Sequence, residues 1–330
     1  MPLSKPRPKG DRVTIEKHST NLLKTLRPPT MIKQPLIGLK ASQFRHPLDL
    51  EATQALQQLP GLDLIVRTLL GSTAEQFFYL ENIATSIQVS PKQLPDLHAS
   101  LVEACEILDI DIPQLYIKQN PAPNAYTMAI RGQKPFIVIH TSLLDLLTPD
   151  EIQAVIAHEL GHLKCEHGTY LTLANILLLA TNLLPWGSLM TQGLQEQIMR
   201  WVRCAEFSCD RAALLATQDP RITMSVLMKL TGGSPSLANQ LNLDAFIQQA
   251  RDYDNATQSD LGRAFRQMQT AQLTHPLPVL RAREVDRWSK SPEYNHLLLK
   301  NSVGYTDEVG NDKAGFGNNK GMNKGEWWNW

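Results

Sequence analysis

A chain of 330 residues, 42% hydrophobic and 19% charged, is long and apolar enough to bury a sizeable core, which excludes a disordered or fibrous protein. Its 32 Lys/Arg and 32 Asp/Glu cancel, so the overall charge offers no footprint for nucleic acid, and no such partner is expected. Four cysteines (Cys105, Cys165, Cys204, Cys209) are too few and too scattered for a disulfide framework or a zinc ribbon; they fit a reducing compartment and read as small buried residues.

Residues 1–46 carry ten Lys/Arg against two Asp/Glu, whereas residues 47–300 carry nineteen against twenty-six. Residues 1–43 therefore read as a basic, disordered tail with some affinity for an anionic membrane surface. They hold no apolar stretch of signal-peptide length, and the expected location is cytoplasmic or peripherally membrane-associated. Residues 44–111 form a helical region, with helices near Leu48–Gln58, Leu62–Leu70, Thr73–Gln88 and Pro95–Leu108. Gln114–Gln119, Asn124–Ile130 and Pro135–His140 read as strands, separated by turn signals at Pro121-Ala122-Pro123 and Arg131-Gly132-Gln133. From Thr148 to about Ser289 the pattern is helical again, broken at Pro185-Trp186-Gly187 and Gly232-Gly233-Ser234-Pro235. No Asp, Glu, Lys or Arg occurs from His167 to Gln195. Its densest part, Leu171–Leu184, contains Asn175 and Asn182. It reads as a buried helix, with membrane docking or insertion of residues 171–190 as the alternative. Residues 301–330, rich in Gly, Asn and Lys, read as a second tail. The expected fold class is α+β, mainly helical, with a small antiparallel sheet beside the helix that carries the chemistry. The main domain spans residues 112–300.

That chemistry lies in His158-Glu159-Leu160-Gly161-His162. Positions i and i+4 share one face of a helix, so two imidazole nitrogens can reach a single zinc ion at roughly 2.0–2.1 Å. Glu159, beside that face, is placed to take a proton from water. The pattern is short, so its context matters. Thr148-Pro149-Asp150-Glu151 is a strong helix start, with Thr148 as N-cap, Pro149 in the first position and Glu151 completing a capping box. Ile152, Val155, Ile156, Leu160 and Leu163 then form an apolar stripe of helical period.

A catalytic zinc site needs a third protein ligand. The longer motif with a third histidine is excluded: Cys165 and Gly168 occupy the positions of its glycine and its histidine. His167 falls one residue early and reads as a polar residue at the helix end. Of the carboxylates, Glu166 on the same helix is disfavoured and Glu196 is possible. Glu206 is the better choice, because Glu206, Asp210 and Ala213 share a face of a later helix. From there Asp210 can accept the second N–H of a ligating histidine.

With these residues in view, the chain resembles the gluzincin peptidases that include the CAAX prenyl endopeptidase, the stress protease HtpX and the mitochondrial Oma-type protease. Pro123-Asn124-Ala125-Tyr126, Leu143-Leu144, Thr148–Glu151, Thr274-His275-Pro276-Leu277-Pro278 with Arg281, and the upstream flank Phe44-Arg45-His46-Pro47-Leu48-Asp49 add to the likeness, which covers about Phe44 to Arg287. The resemblance implies a zincin-like core, one zinc ion per chain held by His158, His162 and Glu206, Glu159 as general base, and Asp210 behind a ligand. It further implies His275 as oxyanion donor with Arg281 as supporting charge. An extended polypeptide substrate would pair along Asn124, Ala125, Tyr126, Thr127 and Met128. Cys209 departs from the usual alanine, and the several transmembrane helices of the prenyl endopeptidase and HtpX have no counterpart, which argues against prenyl processing. The implied activity is zinc-dependent endopeptidase action on unfolded or membrane-associated polypeptides, with protein quality control as its setting. The alternative is a zinc-stabilised binding or chaperone-like module without turnover.

Overall fold

Proline marks where many of the helices begin. With φ already fixed and no N–H to leave unsatisfied, it suits the first helical position. Pro47, Pro95, Pro149, Pro220, Pro278 and Pro292 each open a helix. The computed structural model of the chain describes residues 33–59, 72–129, 134–171, 174, 190–262 and 275–300. Among these the helices are α1 (Ala41–Phe44), α2 (Pro47–Gln57), α3 (Ser72–Thr85), α4 (Pro95–Leu108), α5 (Thr141–Leu146), α6 (Pro149–Lys164), α7 (Met190–Thr217), α8 (Pro220–Gly232), α9 (Leu243–Ala256), α10 (Pro278–Trp288) and α11 (Pro292–Lys300). The strands are β1 (Ile87–Gln88), β2 (Gln114–Lys118), β3 (Ala125–Met128) and β4 (Phe136–His140). The architecture is α+β and mainly helical, as expected.

The sheet has the order β1-β2-β4-β3 and is mixed, which corrects the expectation of a purely antiparallel one. β3 and β4 form an antiparallel hairpin, with Tyr126 opposite Val138, but β2 pairs with β4 in parallel, with Leu115 opposite Ile137. The reason lies in side-chain patterning. β2 and β4 are apolar on both faces and take the centre. Leu115, Ile117, Ile137 and Ile139 join the main core, while Tyr116, Phe136 and Val138 pack on the other face with Tyr79 and Tyr126. β3 is only half-buried and takes the edge beside β4. The chain must therefore pass β4 to reach β3 and return by the hairpin, which leaves β2 parallel to β4. Ile87-Gln88, expected at the end of a helix, is instead strand β1, paired with β2.

The tail boundary also moves. Residues 33–43, expected as part of a solvated tail, pack into the fold. Leu36 and Leu39 are buried, and the Leu36 N–H donates to the Ile107 carbonyl at 2.9 Å. The Leu62–Leu70 helix, the break at Pro185, nearly all of residues 171–190, and residues 1–32 and 301–330 lie outside the described residues. No described helix is long and apolar enough to cross a membrane.

The heart of the molecule is the pair α6 and α7. Thr148 caps α6 as its sequence demands: its hydroxyl accepts from the Glu151 N–H, and the Glu151 carboxylate accepts from the Thr148 N–H. Gly161 lets α7 come close. A Cβ there would stand 2.9 Å from Ala212 Cβ and 3.0 Å from Cys209 Cα. The missing side chain thus sets the spacing between the two helices at the level of the site.

Candidate active site

α6 presents His158 and His162 on the face turned toward α7, and α7 presents Glu206 and Asp210 in return. His158 Nε2 lies 3.5 Å from one Glu206 carboxylate oxygen, and His162 Nε2 lies 3.4 Å from the other. Ligand atoms that share a tetrahedral ion at roughly 2.0–2.2 Å are separated by about 3.4 Å, so the donor set fits zinc in type and spacing. Glu206 Oε2 is buried and accepts no hydrogen bond of good geometry, although His275 Nδ1 and Arg281 Nη1 stand 2.8 and 3.1 Å away. Cys209 Sγ also lies within ligand range of both imidazoles. Burial pushes its thiol well up, however, and a protonated thiol is a poor ligand. Cys209 is buried and forms no disulfide, and its Sγ lies 3.9 Å from His167 Nδ1.

The electrostatics are those of a site built for a cation. Burial alone would favour a neutral Glu206, but the positive charges of His275, Arg281 and His158 hold its carboxyl well below the usual range. Burial likewise disfavours a charged His158. Even so, the Glu206 charge and the Asp210 hydrogen bond raise it to about 10. Asp210 accepts two hydrogen bonds from Arg281, from Nε at 2.8 Å and from Nη2 at 2.6 Å. It lies 3.1 Å from His158 Nδ1. When His158 turns its Nε2 lone pair toward a metal, Nδ1 carries the proton and donates it to Asp210.

Glu159 is buried at the floor of a cavity of about 530 Å³ lined by Asn124, Ala125, His158, Glu206, His275 and Arg281, among others. Thr127 Oγ1 donates to the Glu159 carboxylate at 2.7 Å. The structure therefore gives Thr127, expected along the substrate strand, a buried contact that holds the carboxylate in place. Asn124 and Ala125 border the cavity, and Tyr126 and Met128 sit on the same edge strand. His275 stands at the cavity rim with about half of its side chain exposed, its imidazole pKa raised mainly by the Glu206 charge. Arg281 is buried and committed to the two carboxylates.

Residues 91–289 match the family described as peptidase family M48. The chain belongs to peptidase family M48. It is a metalloprotease, and the M48 match spans α6, α7 and the His275 segment. It is 58% identical over 274 residues to the plastoglobule-localized metallopeptidase 48, chloroplastic, of Arabidopsis thaliana, covering 83% of this chain and 78% of that protein. It is 31% identical over 188 residues to protease HtpX homolog 2 of Methanosarcina mazei, covering 48% of this chain and 64% of that protein. It is also 26% identical over 210 residues to the protease HtpX homolog of Moorella thermoacetica, covering 54% of this chain and 69% of that protein. No solved structure is significantly similar to it.

The structure of this M48 protease adds a role that the sequence did not suggest. His167, just past the end of α6 as expected, is buried against the back of His162, with their Nδ1 atoms 3.2 Å apart. Its other nitrogen meets Asp49 of α2 at 3.0 Å. The contact with Asp49 does not follow from spacing, because Asp49 lies 118 residues away, and the contact with His162 depends on a left-handed turn at Glu166. The one signal in the sequence is the upstream flank Phe44–Asp49.

Proposed function

We propose that this M48 protease is a zinc-dependent endopeptidase that cleaves unfolded or membrane-associated polypeptides, in a quality-control role. The observation that carries the reading is the convergence of His158 Nε2, His162 Nε2 and the two Glu206 oxygens at 3.4–3.5 Å on the wall of a cavity floored by Glu159. His158, His162 and Glu206 would hold the ion. When bound, zinc lowers the pKa of water toward roughly 7 and polarises a carbonyl.

The remaining work falls to the chain's own groups. Glu159, oriented by Thr127, takes the proton of the attacking water and delivers one to the leaving amine. His275 at the rim is the donor assigned to the oxyanion that develops on the scissile carbonyl. Arg281, bound to both Glu206 and Asp210, supports that charge indirectly by fixing the two carboxylates. The substrate adds as a strand along residues 124–128, at the edge that β3 forms among the described residues, where main-chain hydrogen bonds orient an extended peptide. That mode favours flexible chains over folded ones. The name of the Arabidopsis relative places that protein at the plastoglobule. By analogy we place this chain peripherally at a membrane, through residues 171–190 or the basic N-terminus.

Glu159→Gln tests the reading. It should retain stoichiometric zinc while casein cleavage falls by about 10²–10⁴-fold. Retained turnover would remove the base assignment. In parallel, Glu206→Ala should lose zinc, and full zinc occupancy would move the third ligand to Glu196 or elsewhere.

A further inference from the structure

We propose that His167 and Asp49 form a relay that fixes the tautomer and orientation of His162. His167 is then a positioning residue, and the Phe44–Asp49 flank is part of the site. The proposal rests on the reading of His162 as a zinc ligand.

The proton assignments follow one from another. Asp49 is fully buried and accepts from several directions. Its Oδ2 receives Ser208 Oγ at 2.6 Å and Arg45 Nε at 2.8 Å, and its Oδ1 receives Arg45 Nη2 and Thr53 Oγ1, each at 3.1 Å. Thr53 is in turn pinned by the Trp201 indole N–H at 2.8 Å. A carboxylate surrounded by donors, one of them a guanidinium, is ionised and acts only as an acceptor. His167 Nε2, 3.0 Å from Oδ2, must therefore carry a proton. Arg45 Nη2, 3.3 Å from the same nitrogen, is then a neighbour and not a partner, since both are donors. In a neutral imidazole protonated on Nε2, Nδ1 is an acceptor. Two atoms face it, His162 Nδ1 at 3.2 Å and the Cys209 thiol, a weak donor, at 3.9 Å; the relay takes the shorter contact, with His162 Nδ1 as donor. His162 Nε2 is thereby left with its lone pair, and it points at the Glu206 oxygen 3.4 Å away. The sequence Asp49, His167, His162 thus ends in the tautomer that a metal ion requires.

Local structure is arranged for this contact. Glu166, just past α6, adopts φ 59°, a left-handed conformation that costs a residue with a side chain about 1 kcal/mol or more. The turn folds the chain back so that the His167 N–H donates to the His162 carbonyl at 2.9 Å. The His167 ring then packs edge-on against Trp201, with centroids 5.4 Å apart. A second metal ion in this place is a poor alternative, although Asp49, Cys165 and His167 converge. An ion there would have to displace Arg45, Ser208 and Thr53 from Asp49, and burial raises the Cys165 thiol to about 12.

The test uses the zinc-loaded full chain with ¹⁵N-labelled histidine and long-range ¹H–¹⁵N spectra. The expected spectrum shows His167 protonated on Nε2 alone, and His162 protonated on Nδ1 with Nε2 metal-bound. A His167 protonated on Nδ1, or doubly protonated, overturns the relay. His167→Phe and Asp49→Asn should each weaken zinc affinity by about 10–100-fold in competition with a chromophoric chelator, and His167→Asn, which restores an acceptor, should recover part of that loss. Circular dichroism reports whether each variant folds, and the wild-type spectrum decides the matter if none does. Zinc bound with unchanged affinity in both His167→Phe and Asp49→Asn also overturns the relay. Failure of the zinc reading itself is distinct: His162 Nε2 of the wild type would then show no metal-induced shift.

Discussion

The two histidines of α6 stand one turn apart and are supported in different ways. Behind His158 is a single carboxylate, Asp210, clamped by Arg281. Behind His162 is a second imidazole, and only beyond it a carboxylate, Asp49, clamped by Arg45. The first support lies four residues from Glu206 on the same helix, so ligand and support move together. The second draws on α2 and the end of α6, which ties the N-terminal flank to the metal helix. One site is thus held from two parts of the chain that share few covalent constraints.

The largest expected effect comes from breaking the His158 side. Asp210→Ala leaves Arg281 buried with only Glu206 as a counter-charge, and stranding a buried charge costs about 3–5 kcal/mol. Urea unfolding of the metal-free protein should show a loss of that order. Adding Arg281→Leu should return part of it, because the arginine no longer lacks a partner while Glu206 keeps only His158 and His275 as its cations. If the double variant is no more stable than Asp210→Ala alone, the cost lies in the lost His158 contact and not in the arginine.

The sequence made the His158 side legible and left the His162 side hidden, for a physical reason. Spacings of four within a helix report which side chains share a face, so the His158, His162 and Glu206, Asp210 pairs could be read directly. The capping box at Thr148 and the break at Gly232–Pro235 were visible for the same reason: local chemistry decides them. The contact between His167 and Asp49 depends on a left-handed turn at Glu166, a residue type with no preference for it, and on packing across 118 residues. The parallel pairing of β2 with β4 was equally non-local. Burial of Leu36 and Leu39 was obscured by the basic residues around them.

Acid should test the N-terminal flank next, because both carboxylate supports rest on arginines that stay charged. The flank also contains His46, buried, with Nδ1 accepting from the Leu48 N–H and Nε2 3.3 Å from Glu284. Burial lowers His46 below its ordinary value of 6.5. For Glu284, burial opposes ionisation, but the His46 hydrogen bond and the Arg211 charge bring it down to about 2 from 4.5. Both groups have folded-state pKa values below their unfolded ones. Each therefore contributes stability that is present above the unfolded value and is lost as pH falls. The loss should begin below about pH 6.5 with His46 and continue from about 4.5 toward 2 with Glu284, at up to about 1.4 kcal/mol per pH unit for each group. Unfolding free energies measured between pH 7 and 4 should fall less steeply in His46→Asn, which keeps an N-cap for α2 but cannot titrate. An unchanged slope in that variant would place the acid sensitivity elsewhere.

The smallest effect tests what the two supports share. Gly161 lies between the histidines, and its missing Cβ sets how near α7 approaches. Alanine there gains about 1 kcal/mol of helix propensity. Its Cβ would nevertheless meet Ala212 Cβ at 2.9 Å and Cys209 Cα at 3.0 Å, and a backbone contact cannot swing aside. Overpacking of this kind costs about 1–3 kcal/mol, so the net change should be a modest destabilisation of about 1 kcal/mol. The more telling readout is zinc affinity. Moving α7 away draws Glu206 from both imidazoles at once, so affinity should fall by about tenfold even where the fold survives. Gly161→Ala with higher stability and unchanged affinity would mean that propensity outweighs the contact, and that the α6–α7 spacing is not what limits metal binding.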